Sequence, residues 1–168
     1  MTRRYAADTS VPMDRSISEI RTTVRRYGAS EFAHMESDTQ AAITFTMRGR
    51  RILFRLVMPS PEAPEFTQTE RGKVRSSLVA EAAWEQACRS RWRALALVIK
   101  AKLEAVEVGI VVFEDEFLAN TVPPGASVTF GETVRESMKL AHEKRELTPL
   151  LPHIRPDRDA PSTGGGHA

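Results

Sequence analysis

With 168 residues, of which 41% are hydrophobic and 27% charged, the chain has the size and composition of one globular domain with an adequate apolar core. A single cysteine, Cys88, excludes an internal disulfide, and no apolar run reaches the roughly 18 residues that a membrane span requires. The net charge is +2, but residues 48–102 carry 12 basic and 5 acidic side chains, a balance of +7. Such an excess favours nucleic acid or another polyanion as a partner, or it serves ordinary surface solubility.

The first predicted elements are an extended arm over residues 1–14 and a short helix. Ser16 and Glu19 have the spacing of a capping box, in which each side chain satisfies a free amide at a helix start. The apolar positions that follow share one helical face, and Gly28 ends the pattern. The sequence therefore predicts an N-terminal helix whose cap is Ser16.

Three strand segments follow, over residues 31–36, 41–47 and 51–58. The last two alternate in polarity, and Arg48-Gly49 between them is expected to turn the chain. The resulting hairpin should bury one face and carry basic side chains at its turn and on its outer side. These are Arg48, Arg50, Arg51 and Arg55.

A long loop connects the third strand to the next helix. Three prolines end the strand, and the loop extends to about residue 75, a length that favours a functional segment. Arg71, Lys73 and Arg75 directly precede a helix start, where free amides and the helix dipole favour an anion.

Residues 78–108 are predicted to form one long helix with a broad apolar stripe. Arg91 and Lys102 fall inside that stripe, where an unpaired buried cation costs roughly several kcal/mol. Three alternatives stay open for these two cations. They pair with the acidic residues 114–116, they meet phosphate in a groove, or they lie in a protein interface anchored by Trp84 and Trp92.

The remaining chain is predicted to hold small elements: a helical piece over 110–119, a short strand over 127–130 and a helix over 133–144. Prolines and glycines then predict a disordered tail over 151–168. Together these patterns predict one α+β domain over 15–150. It contains an N-terminal helix, a three-stranded antiparallel meander, one long helix packed on the sheet, and small C-terminal helices.

Patterns that would indicate catalysis are missing from the sequence. The four histidines and Cys88 lack metal-ligand spacing, and no phosphate-binding loop or nucleophile elbow occurs. We therefore expect no metal and no cofactor, and the sequence favours a non-enzymatic protein.

Four segments resemble a group of short bacteriophage and prophage proteins whose activity is unassigned. They are residues 5–12 (YAADTSVP), 83–95 (AWEQACRSRWRAL), 98–107 (VIKAKLEAVE) and 113–119 (FEDEFLA). The likeness spans about residues 3–152 and is most specific in the long helix. It implies a phage-derived protein in the cytoplasm of a bacterial host, and it implies no catalytic residue. The order of helix, strands, basic loop and helix also resembles the layout of double-stranded-RNA-binding domains.

The charge pattern and the resemblance together give one functional expectation and one alternative. The expectation is an accessory protein that contacts DNA or RNA through Arg48, Arg50, Arg51, Arg71, Lys73 and Arg75. The alternative is a protein–protein module, a phage structural or host-takeover factor, that binds a phage or host protein through Trp84 and Trp92.

Overall fold

A computed structural model describes residues 6, 8–37 and 39–144. Its elements are α1 (Met13–Arg26), β1 (Ser30–Glu36), β2 (Gln40–Met47), β3 (Arg50–Val57), α2 (Pro64–Thr67), α3 (Ser77–Glu107), α4 (Phe113–Phe117), a 3₁₀ turn (Leu118–Asn120), β4 (Thr121–Val122) and α5 (Phe130–Lys144). The α+β class is confirmed, including the N-terminal helix, the antiparallel sheet, the single long helix and the small C-terminal helices.

The chain divides into two compact units, Met1–Gly131 and Glu132–Ala168. The first unit holds the sheet and the helices α1 to α4, and the described part of the second is the body of α5. The tail expected over 151–168 lies outside the described residues, as does part of the arm expected over 1–14.

The sheet is antiparallel throughout, with the strand order β1-β2-β3-β4. Strands β2 and β3 are joined by two residues, Arg48 and Gly49, whose φ angles are +51° and +72°. Two positive φ angles in a two-residue connection match the right-handed twist of a hairpin. The turn therefore fixes the register, in which Met47 lies opposite Arg50.

The fourth strand is a difference from the predicted meander. In β4, Val122 lies opposite Arg51 and Thr121 lies opposite Ile52. The prediction of a strand over 127–130 is wrong, since those residues form no strand. A two-residue strand is too short to show alternation in the sequence. It forms because β3 otherwise leaves backbone groups unpaired at this edge.

The core lies between one face of the sheet and the helices α1 and α3. Alternation in β2 and β3 brings Phe45 and Phe54 to this face, and the apolar stripe of α3 packs against them. The helix α3 begins and ends within one residue of its predicted bounds. Its buried residues are Cys88, Trp92, Leu95, Ala96, Ile99 and Leu103.

Helix α1 begins one turn earlier than predicted, so the capping-box prediction is wrong. The Ser16 amide donates to the Pro12 carbonyl at 3.2 Å, which places Ser16 inside the helix. The Glu19 carboxylate pairs with Arg93 of α3 instead of a helix-start amide. The additional turn packs Met13 against the core, and this burial outweighs the local capping preference.

Helix α3 ends at Glu107, and Gly109, two residues later, has a φ of +76° that suits a residue without a Cβ. The helical piece predicted over 110–119 is shorter in the structure. It is limited to α4 and the 3₁₀ turn that follows.

Candidate functional site

The connection between α2 and α3 is a small antiparallel ladder over residues 67–75, which we call the 67–75 ladder. The Arg75 amide donates to the Thr67 carbonyl at 2.8 Å, and Gln68 and Val74 form an isolated β-bridge. Gly72, with a φ of +74°, closes the turn. These backbone bonds give the predicted loop a defined shape.

We refer to Arg71, Lys73 and Arg75 as the loop cations. Arg71 and Lys73 are exposed and Arg75 is half-buried. Since side chains alternate along a strand, Lys73 and Arg75 lie on the same side of the ladder. Within the described residues no loop cation forms an ion pair, although exposed Glu70 lies at the same turn. Helix α3 starts at Ser77 and has no acidic residue in its first turn, so its positive end adds to their potential.

We refer to Arg48, Arg50 and Arg51 as the hairpin cations. The Arg48 guanidinium lies over the Phe113 ring, 5.1 Å from its centroid. Arg50 Nη2 lies 3.0 Å from Glu114 Oε1. Both partners belong to α4, so this helix holds two of the three cations in intramolecular contacts.

The third hairpin cation contacts the segment that follows β4. Arg51 Nη2 donates to the Ala126 carbonyl at 2.9 Å, and Arg55 Nη2 donates to the Ser127 carbonyl at 3.0 Å. These bonds attach the 126–127 segment to the outer face of β3. The hairpin cations therefore stabilise the fold, a role that the sequence pattern did not indicate.

The structure separates the two groups of cations. Trp84 Nε1 donates to the Pro59 carbonyl at 2.8 Å, which places the first half of α3 beside the end of β3. The hairpin turn lies at the other end of β3, and the eight residues of that strand cover about 23 Å. The six residues that were predicted to share one basic surface thus lie in two places.

Lys102 is held by an internal ion pair. Its Nζ lies 2.7 Å from Glu116 Oε1 and 3.0 Å from the Glu116 carbonyl, over the Phe117 ring. Arg91 is half-buried and forms no ion pair within the described residues. Eleven residues of α3, about 16 Å, separate the two side chains along the helix axis. Of the three alternatives, internal pairing with the acidic cluster describes Lys102.

The two tryptophans belong to the core to different degrees. Trp92 is 0% exposed, and its Nε1 donates to Glu36 Oε1 at 3.2 Å. Trp84 is half-buried and packs against the same core. Trp92 therefore cannot anchor a partner protein without unfolding of the core.

Cys88 is a buried thiol on α3. Burial raises its pKa, and the nearby charge of Arg91 opposes that rise. The thiol is therefore protonated at neutral pH and is a weak nucleophile. Among the described residues no three His, Cys, Asp or Glu side chains come close enough together to hold a metal ion. In the same part of the chain, no helix has both the length and the apolar character that crossing a membrane requires.

The corner between α3 and α4 exposes large apolar side chains, which the sequence analysis missed. Ile110 is 76% exposed, and Val108, Val112 and Leu118 are each more than half exposed. The sequence predicted a helical piece over 110–119 without assigning burial to these residues, and the structure shows that they face outward. A cluster of this kind is typical of an interaction surface.

Comparisons with protein-family models, with curated proteins and with solved structures give no match.

Proposed function

We propose that the protein is an accessory protein that binds nucleic acid without sequence preference, through the loop cations. The observation that carries the proposal is the 67–75 ladder, which presents exposed Arg71 and Lys73 at the start of α3. Phosphate groups are the ligands that such cations and a helix start favour together. The resemblance to phage and prophage proteins supports a setting in the cytoplasm of a bacterial host, where DNA or RNA is abundant.

The proposed site is smaller than the one expected from the sequence, because it contains the loop cations but not the hairpin cations. The hairpin cations are occupied by Phe113, Glu114 and Ala126, so binding of phosphate there would compete with contacts that stabilise the fold. The loop cations have no such competition among the described residues. We therefore assign the phosphate contacts to the ladder and not to the hairpin.

The test is a fluorescence anisotropy titration with labelled duplex DNA, single-stranded DNA and RNA oligomers. Affinity for at least one of these should fall steeply between about 50 mM and about 200 mM salt, because phosphate binding releases counterions. The variant Arg71→Gln/Lys73→Gln/Arg75→Gln should lose about tenfold or more in affinity, with a shallower salt dependence.

The matched control is Arg48→Gln/Arg50→Gln/Arg51→Gln, which removes the same formal charge from the other turn. We expect this variant, measured at a temperature where it is folded, to lose less than about threefold. An equal loss in both variants would assign binding to net charge alone. Salt-independent or undetectable binding of all three oligomers would disprove the proposal.

A second candidate function is a protein–protein module for a phage or host protein. The exposed corner of Val108, Ile110, Val112 and Leu118 favours it, rather than the tryptophans predicted from the sequence. A specific partner should be captured by the wild type and by the loop-cation variant, and lost with Ile110→Ser/Val112→Ser. If the corner variant captures the same partner, the corner is not the interface.

A further inference from the structure

A cavity of about 450 Å³ lies apart from the 67–75 ladder. Its walls come from the start of α1, the end of β1, the segment after β3 and the first half of α3. The volume is within the range of small-molecule sites in proteins. The cavity therefore has room for a small organic ligand.

The walls of the cavity are mostly apolar. Met13, Met58, Trp84 and Cys88 contribute thioether, indole and neutral thiol surface. The Trp84 indole N–H already donates to the Pro59 carbonyl. A ligand can therefore contact the indole ring but receives no hydrogen bond from it. Such walls suit an apolar or aromatic body, and sulfur atoms pack well against aromatic rings.

One side chain gives the cavity a charge. Among the described residues that line it, Glu36 alone carries a formal charge. Its Oε1 accepts the N–H of buried Trp92, which holds the carboxylate at the cavity wall. The remaining polar lining residue, Ser37, donates its hydroxyl to the Gln40 carbonyl at 3.2 Å. A ligand in this cavity thus meets one negative charge, from Glu36, and one aromatic ring, from Trp84.

We propose that this cavity binds a small organic cation, namely an ammonium group on an apolar or aromatic body. The body packs between Met13 and Met58, and the ammonium group lies beside Glu36 and the ring of Trp84. A carboxylate and an aromatic ring are the two groups that attract an ammonium ion most strongly in proteins. An anionic ligand would meet the Glu36 carboxylate in the cavity wall, whereas Arg91, whose charge reaches Cys88, is not among the described residues that line the cavity.

The experiment uses the full chain with ¹³C-labelled methionine methyl groups and three probes of similar size. The probes are 2-phenylethylammonium, neutral 2-phenylethanol and anionic 3-phenylpropionate. The ammonium probe should shift the methyl signals of Met13 and Met58, which line the cavity. The methyl signal of Met47, which is buried elsewhere in the core, should not shift. It should bind about tenfold more tightly than the alcohol, and the anion should bind most weakly.

Two substitutions on β1 test the role of the charge. Glu36→Gln keeps an oxygen that can accept the Trp92 N–H, so the fold should persist, and the preference for the ammonium probe over the alcohol should fall to within about threefold. Glu31→Gln alters a carboxylate on the same strand that accepts from Thr46 and does not line the cavity, so the preference should be unchanged. Circular dichroism confirms that each variant is folded.

Several outcomes would overturn the proposal. They are no shift at Met13 or Met58 with any probe, equal affinity for the three probes, and an undiminished ammonium preference in the folded Glu36→Gln protein. Shifts of equal size at Met47 would indicate a global change and would also overturn it.

Discussion

The hairpin turn at 48–51 and the 67–75 ladder both place three cations around a positive-φ glycine, and yet they differ in what surrounds them. Helix α4 and the 126–127 segment contact the three arginines of the hairpin. Nothing in the described part of the chain pairs with the loop cations. The difference teaches that a run of basic residues indicates a binding surface only where the fold leaves the charges unpaired.

Removal of the two sets of charges should affect stability very differently. We expect Arg48→Gln/Arg50→Gln/Arg51→Gln to lower the free energy of unfolding by about 1–3 kcal/mol, because it removes a cation–π contact, an exposed ion pair and a hydrogen bond to a carbonyl. The corresponding loop-cation variant should stay within about 0.5 kcal/mol of the wild type. Urea unfolding followed by tryptophan fluorescence measures both, and equal losses would remove the distinction.

The two turn glycines offer a second comparison. Alanine at either position meets no atom within 4 Å, so only the positive φ is costly. Gly49→Ala should lower the free energy of unfolding by about 1 kcal/mol, because the hairpin belongs to the cooperative sheet. Gly72→Ala should cost less than about 0.5 kcal/mol, because the ladder can open locally before the strain reaches the core. Thermal unfolding distinguishes them, and a larger effect at Gly72 would contradict a local role for the ladder.

The smallest expected effect concerns the ion pair of the hairpin. The side chains of Arg50 and Glu114 are 43% and 49% exposed, so water screens their attraction. Glu114→Gln should lower the free energy of unfolding by less than about 0.5 kcal/mol, and high salt should remove the difference. Asp115→Asn is the matched control, since Asp115 forms no ion pair within the described residues. A large, salt-resistant effect at Glu114 would show that the hairpin contact is stronger than its exposure suggests.

Local patterns predicted the fold better than they predicted the candidate site. The bounds of α3 and the β2–β3 hairpin followed from periodicity that extends over many residues. The start of α1 did not, because the burial of Met13 outweighed the capping signal at Ser16. The two residues of β4 are too few to show a sequence pattern, and the sequence did not indicate the exposed corner at Ile110.

The sequence by itself determined the α+β class, the long helix with its buried stripe, and the positions of two basic turns, since periodicity and turn composition are properties of neighbouring residues. Only the tertiary structure decided which cations have a partner among the described residues. Arg50 meets Glu114 and Arg51 meets Ala126, partners more than sixty positions away in the chain. The cavity beside Glu36 likewise combines four separate segments. The partners of these cations and the walls of the cavity come from residues far apart in the chain, so no local sequence pattern indicates them.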